Sequence, residues 1–377
     1  MVELVETTAI ENVISAGSIT TNIKKGEKMK KITSIITSVL AAVSLAFGFA
    51  SCKKEAPVTV IGYRTGSLCA IPIHIAVLNG LFEKEFEAIG QKVETLHQSG
   101  FSGTTAELVG AGKVHGGFEL IASNLQAMEN GLPIVFATGV HTGCTRYFVR
   151  QDSGINGPED LRGKKIGVLN LTDSSVINLK RKLGEYGIKV SLADSEVEFT
   201  AYEMSALGLA LKNGQVDAIA LHEPMASKVA NEFGFKQILD TGTDEKFKDE
   251  YCCQIFVTED FLEKNPEGVK AFIRAIQKAS AYVQAVPEEA ARIQLENNFT
   301  SGTVDDNVKI LKTLNYTSSY EKGKQTFVNA VHELKELGVL KPTTDAEAFI
   351  KRGYVDLKGI PEGYTYNPAT QEFTEIK

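Results

Sequence analysis

Two successive runs in which short apolar strands alternate with helical stretches limit what this chain can fold into. In the first, residues 58–63 (VTVIGY) read as a strand, followed by a turn at Gly66 and a helix with Ile73, Ala76, Val77 and Leu81 at helical spacing. Residues 93–96 continue as strand, 102–111 as a short helix, 114–118 as a buried strand, 123–130 as helix and 134–138 as strand. The stretch GVHTGC, Gly139 to Cys144, interrupts the pattern with glycines. A second run then places strands at 147–150, 165–169, 197–200, 216–221 and 237–239, with helices at 174–186, 204–213 and 224–233. Residues 254–258 form another strand, and the remainder reads as mainly helical. Alternation of this kind gives α/β units with mostly parallel sheets.

The 377 residues, 43% of them hydrophobic, suffice for two cores. A net charge of -7 leaves no basic excess for neutralising phosphates, which argues against nucleic acid as a partner. Small solutes or proteins are the expected partners, and the chain is expected to act as a monomer.

The stretch MKKITSIITSVLAAVSLAFGFASCKK, beginning at Met29, has a basic start, an apolar run and small residues before a cysteine. This is the design of a secretory signal. Phe49-Ala50-Ser51-Cys52 resembles a bacterial lipobox, so Cys52 is the expected lipidation site and the mature N-terminus. Two acyl chains are enough for stable attachment to a membrane. Residues 1–28 carry acidic charge where a signal needs basic charge, and translation is expected to begin at Met29.

Several segments together resemble the extracytoplasmic solute-binding proteins of ABC importers, in the nitrate, taurine, aliphatic sulfonate and thiamine-precursor group. They are IGYRTG, GLFEKEF, AELVGAGKVHGGF, NGLPIVFATG, GPEDLRGKKIGVLN, LKNGQVDAIALHEP and VTEDFLEKNPEGVKAFIRAIQKA. The resemblance covers about residues 58–285. It implies the type II periplasmic-binding-protein fold: two α/β lobes joined by two crossover strands, with a ligand cleft between them. The implied layout is an upstream extension (1–28), signal peptide (29–51), tether (52–57), first part of lobe 1 (58–145), lobe 2 (146–250) and return to lobe 1 with C-terminal helices (251–377). The implied partners are a small solute and the permease and ATPase of an importer, with the membrane reached through the lipid anchor. His115 and His222 depart from residues usual in the group, which weakens assignment to sulfonate or taurine.

Ligands in open α/β sheets bind beyond the C-terminal strand edges, where helix N-termini offer unpaired N–H groups. The expected ligand-binding residues are therefore Thr65, Ser67, Cys69, Phe101, Ser102, Thr104, Glu119, Ser123, His141, Thr142, Cys144, Asn170, Thr172, Asp173, Ser174, Ser175, Tyr202, His222 and Glu223. Helix capping is the competing explanation for the serines, threonines and Asp173.

His141 and Cys144 raise the question of metal or nucleophile. Cys69, Cys252, Cys253, His74, His97 and His222 supply further thiols and imidazoles, but none has CxxC or HExxH spacing, so neither metal nor cofactor is expected. The resemblance places His141 to Cys144 at the first crossover and Cys252-Cys253 at the second, so these groups are candidates to meet at the cleft floor. Packing, ligand contact, soft-metal binding and a disulfide all remain open. Related proteins that make the thiamine pyrimidine use the same fold with a histidine and a cysteine-rich iron motif, of which HTGC and YCC are partial echoes. The full motif is absent and an export signal is present. The expectation is a solute receptor and no enzyme.

Overall fold

The computed structural model describes residues 58–98 and 105–377, which fall within one compact unit, Ala56–Lys377. The expected signal peptide, Cys52, and the candidate residues Phe101, Ser102 and Thr104 lie outside the described residues. Strands are β1 (Val58–Tyr63), β2 (Lys92–His97), β3 (Gly116–Leu120), β4 (Ile134–His141), β5 (Thr145–Val149), β6 (Lys165–Val168), β7 (Glu198–Ala201), β8 (Ala218–His222), β9 (Lys236–Asp240), β10 (Cys253–Thr258), β11 (Gly363–Asn367) and β12 (Glu372–Ile376).

Two five-stranded sheets form two α/β lobes. The first has the order β2-β1-β3-β10-β4 and the second β7-β6-β8-β5-β9. In each sheet the strand that arrives from the other lobe runs against its neighbours: β10 is antiparallel to β3 and β4, and β5 to β8 and β9. Every residue of β4 and β5 is buried. Strands covered on both faces lose the polar alternation of a half-exposed sheet, which is why most of β4 reads as an apolar run.

The helix Pro266–Ala285 shows how sequence builds one covering layer. Pro266 occupies the first turn, where its missing N–H costs nothing, and Asn265 Oδ1 accepts from Gly268 N at 3.0 Å. Val269, Phe272, Ile273, Ile276 and Val283 then recur on one buried face and join the core of the first lobe.

The chain crosses between lobes twice, from β4 to β5 through Thr142, Gly143 and Cys144, and from β9 to β10 through residues 241–252. The crossovers meet at their glycines. A Cβ on Gly143, whose φ is +82°, would lie 2.7 Å from Gly242 Cα.

One expectation needs correction and another an addition. Strand β4 runs three residues past Thr138 to His141, because β10 continues to pair with it as far as Cys253. The C-terminal region is not only helical: β11 and β12 form a hairpin against the helix Pro266–Ala285, with Lys278 Nζ 5.0 Å from the Tyr364 ring and Tyr282 5.1 Å from Tyr366. Alternating aromatic and polar residues flanking a turn were the available signal.

Candidate functional site: a thiol and imidazole cluster at the crossovers

Strand register places the chemistry. On β4 and β10, Cys253 is paired with His141, and on β5 and β8, Thr145 is paired with His222. The short link from His141 to Thr145 carries Cys144 between these two pairs. Cys69 arrives from the turn after β1.

The Cys69, Cys144 and Cys253 sulfurs and a His141 ring nitrogen all lie within 4.8 Å of one another, and all four residues are buried. Cys144 Sγ is 3.9 Å from Cys253 Sγ and 3.1 Å from Cys252 Sγ. His141 Nδ1 donates to the Thr142 carbonyl at 3.2 Å, while its buried Nε2 has no hydrogen-bond partner among the described residues. Three sulfurs and an imidazole suit a soft or borderline cation. A tetrahedral ion with metal–sulfur bonds of about 2.3 Å sets sulfurs about 3.8 Å apart, close to the Cys144–Cys253 separation. Spacing along the sequence gave no metal motif, because the donors come from three distant segments, Cys69, His141 with Cys144, and Cys253.

The cluster is electrostatically coupled. Hydrogen bonds from neighbouring thiols lower Cys69 and Cys252 well below the usual thiol range, with Cys144 and Cys253 contributing to both. Burial opposes charge on His141, but the Cys252 and Cys69 thiolates outweigh it and raise His141 to about 9.

His222 adjoins this cluster from the second lobe. Its Nδ1 is 3.0 Å from Thr145 Oγ1 and 4.0 Å from Cys144 Sγ; its Nε2 is 2.8 Å from Asp173 Oδ1 and 3.4 Å from Ser174 Oγ. Burial would raise Asp173, but His222 and the Ser175 N–H lower it to about 2. Asp173 also caps the helix Ser174–Glu185, so capping and site chemistry use the same carboxylate.

The remaining expected residues divide by what holds them. Thr65 Oγ1 meets His97 Nε2 at 3.2 Å, and Ser67 Oγ accepts from Cys69 N at 3.1 Å, fixing the turn that carries the thiol. Glu119 lies 3.7 Å from Arg64, and Ser123 Oγ donates to the Leu120 carbonyl. Thr142 N donates to the Asn315 carbonyl, and Asn170 Oδ1 accepts from Thr172 N and Oγ1. The Ser175 carbonyl accepts from Tyr147 Oη, and Tyr202 N donates to the Val168 carbonyl. Glu223 is engaged by Arg146 and Ser227, while its carbonyl lies 4.0 Å from Cys69 Sγ. His74, another candidate imidazole, is held between the Arg64 carbonyl and Gln294. The sequence reading missed Thr145 and Arg146 as participants; each is visible only through register.

The sequence model of the family described as NMT1/THI5 like matches residues 70–290. The chain belongs to this family. A 4-amino-5-hydroxymethyl-2-methylpyrimidine phosphate synthase of Saccharomyces cerevisiae is 28% identical over 233 residues, 58% of this chain and 65% of that protein. The chain thus spans about two thirds, and no more, of that relative's length. Among solved structures, the periplasmic aliphatic sulphonate binding protein of Escherichia coli aligns with a TM-score of 0.62 at 18% identity, covering 81% of this chain and 95% of that one. The periplasmic nitrate-binding protein of Synechocystis PCC 6803 aligns at 0.63 and 16%, covering 80% and 86%. At these identities the likeness establishes the periplasmic-binding-protein fold. The curated relatives overturn one expectation, that the chain is no enzyme: family members at 24–28% identity bear the name of a synthase.

Proposed function

We propose that this protein captures a small solute between its lobes outside the cytoplasmic membrane and delivers it to the permease and ATPase of an ABC importer. One observation carries the reading: polar groups of both lobes meet where two crossovers join them, with Cys144 Sγ 4.0 Å from His222 Nδ1, Cys69 Sγ 4.0 Å from the Glu223 carbonyl, and Asp173 2.8 Å behind His222. A ligand touching both sets favours the closed state, so its affinity depends on both lobes. The expected anchor at Cys52 would keep the receptor beside its importer.

The solute class follows from donor and acceptor chemistry. Asp173 and Glu119 offer carboxylates to amino or ring N–H groups, and the aromatic rings of Phe118 and His141 are stacked with centroids 6.4 Å apart. A nitrogenous heterocycle of the aminopyrimidine kind uses such groups better than nitrate or a sulfonate does. The test is a thermal-shift panel containing 4-amino-5-hydroxymethyl-2-methylpyrimidine, taurine and nitrate. Stabilisation follows RT ln(1 + [L]/Kd), about 2.7 kcal/mol at a hundredfold excess over Kd. Absence of a shift with every solute, together with no compaction in small-angle scattering, would reject capture.

The thiol and imidazole cluster favours a second reading, a synthase-type reaction in the same cleft. Mass analysis of the solute after incubation separates the two: unchanged solute supports capture, and a new pyrimidine product supports turnover.

A further inference from the structure

We propose that Cys144 and Cys252 form a reversible disulfide that ties the first crossover to the second. Their sulfurs are 3.1 Å apart, well inside the separation a shared tetrahedral metal would impose and closer than Cys252–Cys253 at 3.7 Å or Cys144–Cys253 at 3.9 Å. Cys144 precedes β5 and Cys252 precedes β10, so the bond joins the two segments through which the lobes communicate. The residues are 108 apart, and the loop the bond closes contains all of the second sheet. Adjacent cysteines would have to close a strained ring, which disfavours the Cys252–Cys253 alternative.

Access sets the order of events. Cys144 and Cys253 are fully buried, whereas Cys252 is partly exposed and lines, with Gly143, Asn178, Arg181, Thr241 and Tyr251, a small pocket. With an organic disulfide as oxidant, the Cys252 thiolate attacks one sulfur and releases one thiol, leaving a mixed disulfide. The Cys144 thiolate then attacks the Cys252 sulfur, forming the internal bond and expelling the second thiol. Two protein thiols lose two electrons and two protons, and the oxidant disulfide becomes two thiols. The bond removes Cys144 from the four-residue donor set, so oxidation and metal retention by that set exclude each other.

The inference does not depend on which solute is bound. Its test is incubation of the reduced full chain with oxidised glutathione, followed by intact-mass measurement and non-reducing peptide mapping. The expected result is loss of two hydrogens per chain, a cross-linked peptide pair containing Cys144 and Cys252, and full reversal by dithiothreitol. C144S should stop at the mixed disulfide and gain one glutathione on Cys252, whereas C253S should still form the Cys144–Cys252 bond. Cross-linking between other cysteines, a stable glutathione adduct on the unsubstituted chain, or no change in mass would overturn the proposal. Wild-type and C253S results are read on chains whose circular dichroism matches, so misfolding of one variant does not decide the outcome.

Discussion

His222 Nε2 lies 2.8 Å from Asp173 Oδ1, and that contact joins the end of β8 to the first turn of the helix Ser174–Glu185. Asp173 also accepts from Ser175 N at 2.8 Å. Asp173→Asn keeps an effective cap but removes the charge facing His222. We expect it to lower stability by about 1.5–3 kcal/mol, the range for a hydrogen bond to a charged group. Asp173→Ala should cost about 1 kcal/mol more by losing the cap as well. Urea unfolding measures both, and equal midpoints for the Asp173→Asn variant and the wild type would show that the charge contributes nothing.

Arg146 is the second buried charge whose partners define it. It reaches Glu223, Asp240 Oδ2 at 2.9 Å, Ser227 Oγ at 3.0 Å and Thr313 Oγ1 at 3.1 Å. The last contact ties β5 to a segment far along the chain, after the helix Val304–Leu311. Arg146→Met keeps much of the side-chain volume but leaves the buried Glu223 and the partly buried Asp240 carboxylates without their cation, an arrangement that costs roughly 3–5 kcal/mol. The midpoint of chemical unfolding should fall accordingly. A shift under about 1 kcal/mol would mean that water replaces the guanidinium cheaply.

The alternating elements were legible because fully buried strands such as β4 leave long apolar runs, and because glycines such as Gly214 and Gly234 mark helix ends. Gly234 is the left-handed C-cap of the helix Met225–Phe233. The edge residues Asp173 and His222 were also legible, since strand ends and helix starts can be read locally. Convergence of the thiols with His141 was legible only through the family resemblance, not through spacing. Cys69, His141, Cys144 and Cys253 have no short-range spacing that announces a donor set, and only the reversed entry of β10 between β3 and β4 brings Cys253 opposite His141. Glu223 reads as a cleft residue by position, yet its carboxylate faces Arg146, a pairing fixed by β5 beside β8.

Glu119 provides a pH signature away from the thiols. Burial pushes its carboxyl up to about 7, against the opposing effect of Arg64. The folded protein therefore binds this proton more tightly than the unfolded chain does. Its contribution is fully present below pH about 4.5 and is lost as pH rises through about 7. Glu119→Gln removes the titration, so the variant should gain on the wild type by about 2–3 kcal/mol between pH 4.5 and 8. Melting temperatures across that range supply the measurement, and a constant difference would place the Glu119 pKa near its ordinary value.

Gly143 is the residue at which conformational freedom and close approach coincide. Its φ of +82° disfavours any side chain, and a Cβ there would lie 2.7 Å from Gly242 Cα in the opposite crossover. Gly154 has a similar φ of +72° but nothing within 4 Å of the position a Cβ would take. Gly154→Ala therefore measures backbone strain alone, at about 1 kcal/mol. Gly143→Ala adds a backbone collision to that strain and should cost about 2–4 kcal/mol, because one crossover must move to relieve it. If the lobes turn about these crossovers, the same movement should change solute affinity in Gly143→Ala but not in Gly154→Ala. Paired thermal melts and solute titrations separate the effects: equal losses in the two variants would show that the Gly143–Gly242 approach does not constrain the hinge.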